Sequence, residues 1–161
     1  MKQTRYYPAW CIPLLILAPC VAIMGCGTST SDRDLHYVTA VEAEQLLVQP
    51  KGLFGLGGKT EGIWLDPRSK EAYELGHIPG AINIPFPDIA PLHKIKLPGN
   101  PLVIVYGDDY DDILAIAASK RLMELKYSDI KTLRGGLRQW KKDGNRIVTG
   151  PEPGGKEKDE G

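Results

Sequence analysis

The stretch Gly76-His77-Ile78-Pro79-Gly80-Ala81-Ile82-Asn83-Ile84-Pro85 decides how the rest of the chain is read. Gly76 stops a helix that Ser69 opens as N-cap and that runs through Leu75. His77 then lies in a tight turn ahead of Pro79-Gly80, where Gly80 supplies a backbone angle that a side chain would resist. Ala81–Ile84 reads as a strand, and Pro85 closes it.

Working outward, the same alternation continues. Upstream, Thr39-x-x-Glu42 is a capping box opening a helix to Val48, with Ala40, Ala43, Leu46 and Leu47 as its apolar face. Gly62–Asp66 (GIWLD) is a short buried strand. Downstream, Leu102–Tyr106 (LVIVY) is a continuous apolar run suited to the middle of a parallel sheet. Ile113–Lys126 is the longest helix, Ile130–Leu133 another strand, Gly135-Gly136 a turn and Leu137–Lys142 a final short helix. Strands separated by helices imply right-handed βαβ crossovers. The class is therefore α/β, with a mainly parallel central sheet flanked by helices on both faces.

Composition narrows the function. The chain of 161 residues fits one domain, and its 20 Lys plus Arg balance 20 Asp plus Glu. A net charge of zero argues against nucleic acid as a partner, because phosphate neutralisation needs a basic face. All three cysteines, Cys11, Cys20 and Cys26, lie within the first 26 residues. Any chemistry in the body must do without a sulfur nucleophile, a disulfide or a thiolate metal ligand.

Lys2 and Arg5 are the only charges before Asp32, and an apolar stretch 8–25 follows them. That is the pattern of a secretory signal. It ends in Ile23-Met24-Gly25-Cys26, which resembles the lipobox of bacterial lipoproteins. The resemblance implies diacylglyceryl attachment at Cys26, cleavage before it, and a body held outside the cytoplasm in the cell envelope. Gly27 after the cysteine favours outer-membrane sorting if the cell is Gram-negative. The alternative, an uncleaved membrane anchor, is weakened by Pro13 and Pro19 inside a barely sufficient apolar length. The expected organisation is a signal peptide 1–25, a flexible tether 26–36, the folded domain 37–148 and a disordered tail 149–161.

A second Gly-rich stretch, 52–60 (GLFGLGGKT), ends like a phosphate loop. The spacing fails, since Leu53 stands where glycine is required, and the context fails, since a helix precedes and a strand follows. It reads as a loop with some apolar surface, and no cofactor is expected.

Trp64-Leu65-Asp66-Pro67-Arg68, Glu71, Tyr73 and the Gly76–Pro85 string together resemble the rhodanese-like domain. So does the later half: Val103–Tyr106, a short loop, an Ala-rich helix, Tyr127, Leu133-Arg134-Gly135-Gly136 and Trp140. The resemblance covers residues 37–143 and implies scaffold roles for Asp66, Arg68, Gly76, His77, Gly80, Gly135 and Gly136. His77 reads as a hydrogen-bonded turn residue rather than a base, and Trp140 as core.

Catalysis in that family is carried by a cysteine directly after the central strand, whose thiolate accepts a sulfane sulfur within a loop of backbone N–H groups. Here that position is Gly107, and the loop continues Asp108-Asp109-Tyr110-Asp111-Asp112. Glycine has no nucleophile, and a phenol such as that of Tyr110 is a poor one. Active members tend to carry an arginine near the end of this loop, whereas this chain carries four aspartates in five residues. The expectation is a degenerate active-site loop without catalytic residues.

The aspartates themselves allow three uses: helix capping, a cation site built from Asp108, Asp109, Asp111 and Asp112, or contact with a basic partner. The favoured reading is a lipid-anchored, non-catalytic module holding an envelope protein or a ligand. The alternatives are a metal-dependent enzyme at the Asp-rich loop, or a sulfurtransferase that borrows a partner's cysteine.

Overall fold

The computed structural model describes residues 30–48 and 62–151. The signal peptide, Cys26, the Gly-rich stretch 52–60 and nearly all of the tail lie outside the described residues.

Within them the elements run β1 (Tyr37–Val38), α1 (Ala40–Val48), β2 (Ile63–Asp66), α2 (Lys70–Leu75), β3 (Ile82–Asn83), α3 (Ile89–Lys96), β4 (Val103–Val105), α4 (Ile113–Glu124), β5 (Ile130–Leu133) and α5 (Gly136–Lys142). The strands form one sheet in the order β1-β5-β4-β2-β3. Every pairing is parallel, with Leu65 opposite Val105 and Val105 opposite Thr132 at the centre. All strands therefore end at one edge of the sheet, the edge where loops in open α/β folds collect ligands.

Side-chain alternation along the strands divides the core in two. Trp64, Ile104 and Tyr106 point to one face, against Ala43 of α1, Tyr73 of α2 and Leu137 and Trp140 of α5. Leu65, Val103 and Val105 point to the other, against Ile89 of α3 and Ala115, Ala118 and Leu122 of α4. Trp140 stacks edge-on to Trp64 with ring centroids 5.3 Å apart.

The local signals read in the sequence are realised. Thr39 Oγ1 accepts from the Glu42 amide while the Glu42 carboxylate accepts from the Thr39 amide at 2.8 Å, closing the capping box. Ser69 caps α2 by accepting from the Ala72 amide. Gly80 and Gly135 take φ of 78° and 81°, the left-handed region that glycine enters freely.

Three features were not foreseen. Strand β1 has two residues, too few to show a period. Helix α3 follows Pro85 and Pro87 and contains Pro91, a run that reads as loop. Pro91 is tolerated because it is the third residue of the helix, in the first turn, whose amides have no intrahelical acceptor. Third, residues 30–36, the described part of the expected tether, include a local turn with contacts to α4. Ser31 caps a 3₁₀ turn, Asp32–Asp34, by a reciprocal box with Asp34. Asp32 forms an ion pair with Lys120 of α4, and Thr30 donates to Glu124 at 3.4 Å.

Candidate functional site

The β4 strand delivers the chain to the loop. Tyr106 and Gly107 are buried immediately after it, and Asp108 is the first exposed residue. Beneath the loop lies a chain of polar groups that the fold assembles from distant positions. The buried Asp66 carboxylate accepts from Arg68 Nη2 at 2.6 Å and from Nε at 3.0 Å. Arg68 also donates to the Gly76 carbonyl at 2.8 Å and to Asp108 at 2.7 Å. One guanidinium thus ties β2, the Gly76 turn and the loop together. Burial opposes its charge, but the bonds and charge of Asp66, and then the charge of Asp108, outweigh it and hold Arg68 protonated. Burial and then the charge of Asp66 push the Tyr106 hydroxyl far above the ordinary phenol range, so it stays a neutral donor. His77 is buried, donates from Nδ1 to the Tyr73 carbonyl at 2.9 Å and stacks on the Tyr73 ring. This places it as a turn residue.

The second support comes from α5. The Leu137 amide donates to the Gly107 carbonyl at 2.8 Å and the Arg138 amide to the Asp108 carbonyl at 2.9 Å. This approach is close enough that a Cβ on Gly136 would sit 2.5 Å from the Gly107 carbonyl oxygen, and Gly136 has φ 55°. Both reasons require glycine there.

Three aspartates of the loop have distinct partners. Asp108 pairs with Arg68, and Asp109 pairs with Arg138 at 2.5 Å. Asp111 is exposed and adopts φ 54°. Asp112 is the N-cap of α4: one carboxylate oxygen accepts from the Leu114 amide at 2.8 Å and the Ala115 amide at 3.1 Å. Its other oxygen turns back into the loop and accepts from the Asp108 amide at 2.9 Å. The sequence signalled capping by the group as a whole, without distinguishing Asp112.

Gly107 and Asp112 fit as a pair. A Cβ at position 107 would lie 2.6 Å from Asp112 Cβ and 2.6 Å from its Oδ1, an overlap that a side chain and that carboxylate could not share. The carboxylate therefore occupies the space beside position 107 that a longer residue there would need. Behind the loop, a cavity lined by Tyr110, Asp112, Ala115, Thr132, Arg134 and Gly135 measures about 10 Å³, room for about one water molecule. The aspartates are not gathered for a cation either. Among the described residues there is no group of three or more His, Asp or Glu side chains that could hold a metal ion.

The rhodanese-like domain model matches residues 53–143. The chain belongs to the rhodanese-like domain family. It is 30% identical over 91 residues to the adenylyltransferase and sulfurtransferase UBA4 of Meyerozyma guilliermondii, covering 50% of this chain and 20% of that protein. It is 33% identical over 94 residues to the uncharacterized protein BU052 of Buchnera aphidicola, covering 56% of this chain and 62% of that protein. Among solved structures, the thiosulfate sulfurtransferase from Pseudomonas aeruginosa superposes with a TM-score of 0.61 at 25% identity, over 72% of this chain and 20% of that one. The chain thus spans a minor part of the UBA4 relative and of the Pseudomonas enzyme. In this rhodanese-like domain the scaffold residues Asp66, Arg68, Gly76, Gly135 and Gly136 converge on the loop, while His77 and Gly80 shape the turn beneath.

Proposed function

We propose that this rhodanese-like domain is a lipid-anchored, non-catalytic binding module of the cell envelope. The observation that carries the reading is Asp112: its carboxylate takes three backbone amides beside Gly107, where sulfur transfer would require a thiolate and an anionic donor. Gly107 offers no nucleophile, and residues 27–161 contain no thiol to replace it. A donor dianion would also meet the Asp112 charge; two like charges at 4 Å repel by about 4 kcal/mol at an effective dielectric of 20. Ligand capture in the loop is disfavoured on the same ground, because the anion-binding amides already hold an anion of the chain. Binding is therefore assigned to the surface around the loop, where Tyr110, Ile113 and Leu114 are exposed beside Asp111. The anchor is the diacylglyceryl group on Cys26 that the lipobox-like sequence calls for, and the partner is an envelope protein.

The test is a thiosulfate:cyanide assay on the acylated protein purified from membranes. No turnover above the buffer is expected, and Gly107→Cys alone should remain inactive because the Asp112 carboxylate blocks position 107. Turnover by the unmodified chain would overturn the proposal. The binding half is tested by Ile113→Asp, which should abolish retention of a captured envelope protein without moving the melting temperature. Retention unchanged by that substitution would reject the loop face as the binding surface.

A further inference from the structure

The ordered segment before β1 gives the domain a direction relative to the membrane. Helix α4 starts at the loop, with Asp112 as its cap, and its twelve residues carry it about 18 Å to the opposite edge of the sheet. The N-terminal segment lies along this helix in reverse. Asp32 pairs with Lys120, and two residues earlier Thr30 reaches Glu124 on the last turn. The chain therefore arrives at the end of the domain farthest from Gly107–Asp112. Cys26 precedes Thr30 by four residues, a reach of about 14 Å when fully extended.

We infer that the lipid on Cys26 seats the domain with the amino ends of its strands toward the bilayer and the Asp-rich loop face turned away from it. This rests on the lipid-anchor reading given above and adds the orientation. Fourteen ångströms of reach from Thr30 is shorter than the height of α4, so the loop face cannot fold down to the headgroups while Thr30 stays at Glu124 and Asp32 at Lys120. The surface facing the lipid comprises the last turn of α3 and the connections after α3 and α4. It exposes Lys94, Ile95 and Lys126, two cations and an aliphatic side chain at one end of the molecule. Each Lys near an anionic leaflet is worth about 1 kcal/mol, so these side chains favour contact with acidic headgroups but leave the lipid as the anchor. On the far side, Tyr110, Ile113 and Leu114 face the aqueous space, so the protein recognised there approaches from outside the anchoring bilayer.

The mature acylated chain makes the test direct. Cys11 and Cys20 leave with the signal peptide, and the Cys26 sulfur is consumed in the thioether, so one introduced cysteine is the sole thiol. Lys94→Cys and Ile113→Cys, both at exposed helix positions, are labelled with a fluorophore on the mature acylated protein in vesicles whose headgroups carry a nitroxide quencher. Quenching is expected at position 94, with emission retained at position 113. Equal quenching, or the reverse order, would overturn the orientation. Asp32→Lys should release the N-terminal segment and erase the difference between the two labels; a difference that persists would reject the docked turn as its cause. Mass spectrometry of the same preparation separates the two claims. A chain lacking the diacylglyceryl mass defeats the anchor itself, whereas an acylated chain with wrongly ordered quenching defeats only the orientation.

Discussion

The Asp66–Arg68 segment and the Gly107–Asp112 loop meet through one ion pair, yet they differ in every physical respect. Arg68 and Asp66 have 6% and 0% of their side chains exposed, and they bond to each other and to the Gly76 carbonyl. The loop's carboxylates lie at the surface or at a helix end, and Asp108, Asp109 and Asp112 each have a separate partner. A buried charged pair cannot lose one member cheaply, because the other is left without solvent or counterion. An exposed loop can exchange its side chains provided the backbone remains supported. Here that support comes from Arg68 below and the α5 amides alongside. The scaffold a rhodanese-like domain requires is thus separable from the chemistry its loop can perform.

The comparison breaks most visibly at Arg68. Arg68→Met leaves the buried Asp66 carboxyl without its guanidinium partner, and urea unfolding should register a loss of about 3–5 kcal/mol. Replacing both partners, Asp66→Leu with Arg68→Met, should cost less than the single substitution. A single substitution with little effect would mean that the pair does not organise the site.

Next comes Gly107→Ala, whose added methyl would sit 2.6 Å from Asp112 Oδ1. The overlap should cost about 1–3 kcal/mol. Asp112→Ala alone removes a helix cap, at about 0.5–2 kcal/mol. The double variant should be more stable than the sum of the two losses allows, since truncating Asp112 removes its carboxylate from the added methyl and leaves only its Cβ, 2.6 Å away, in the overlap. Strict additivity in a denaturation cycle would show that Gly107 and Asp112 are not a matched pair.

A weaker contrast is Arg138→Ala. The Asp109–Arg138 pair is 36% and 63% exposed, so its removal should cost only about 0.2–1 kcal/mol, and less in high salt. A loss as large as that of Arg68→Met would erase the distinction between the buried and the exposed charge.

The smallest effect is expected at α1, remote from both regions. The Thr39 amide and then the Thr39 hydroxyl hold the Glu42 carboxyl below its usual range. A carboxyl lowered by folding contributes stability above its unfolded value near 4.5 and loses that contribution as pH falls through the folded value. Glu42→Gln should therefore reduce the melting temperature slightly at neutral pH and not at all in strong acid. A decrement that grows on acidification would contradict the capping box.

Much of this was legible in the chain alone, for reasons particular to each segment. Leu102–Tyr106 is apolar at every position, and both faces of β4 prove buried. The caps at Thr39 and Ser69 are satisfied within three residues, so their sequence signal and their structure are one local event. α3 was missed because its stability comes from Ile89 and Leu97 packing into the core beneath α4, which a proline-rich run conceals. The docking of residues 30–34 was not legible because Lys120, which holds Asp32, lies far along the chain.

The sequence by itself determined the parallel α/β order, the absence of a thiol from the body and the glycine at position 107. All of these are matters of local pattern or of which atoms are present. Only the tertiary structure decided what the four aspartates do. Arg68 and Arg138 reach the loop from other elements, and the backbone of α4 turns its amides toward Asp112. Which charge meets which partner is fixed by distances across the fold, and those are invisible until the sheet and its helices are assembled.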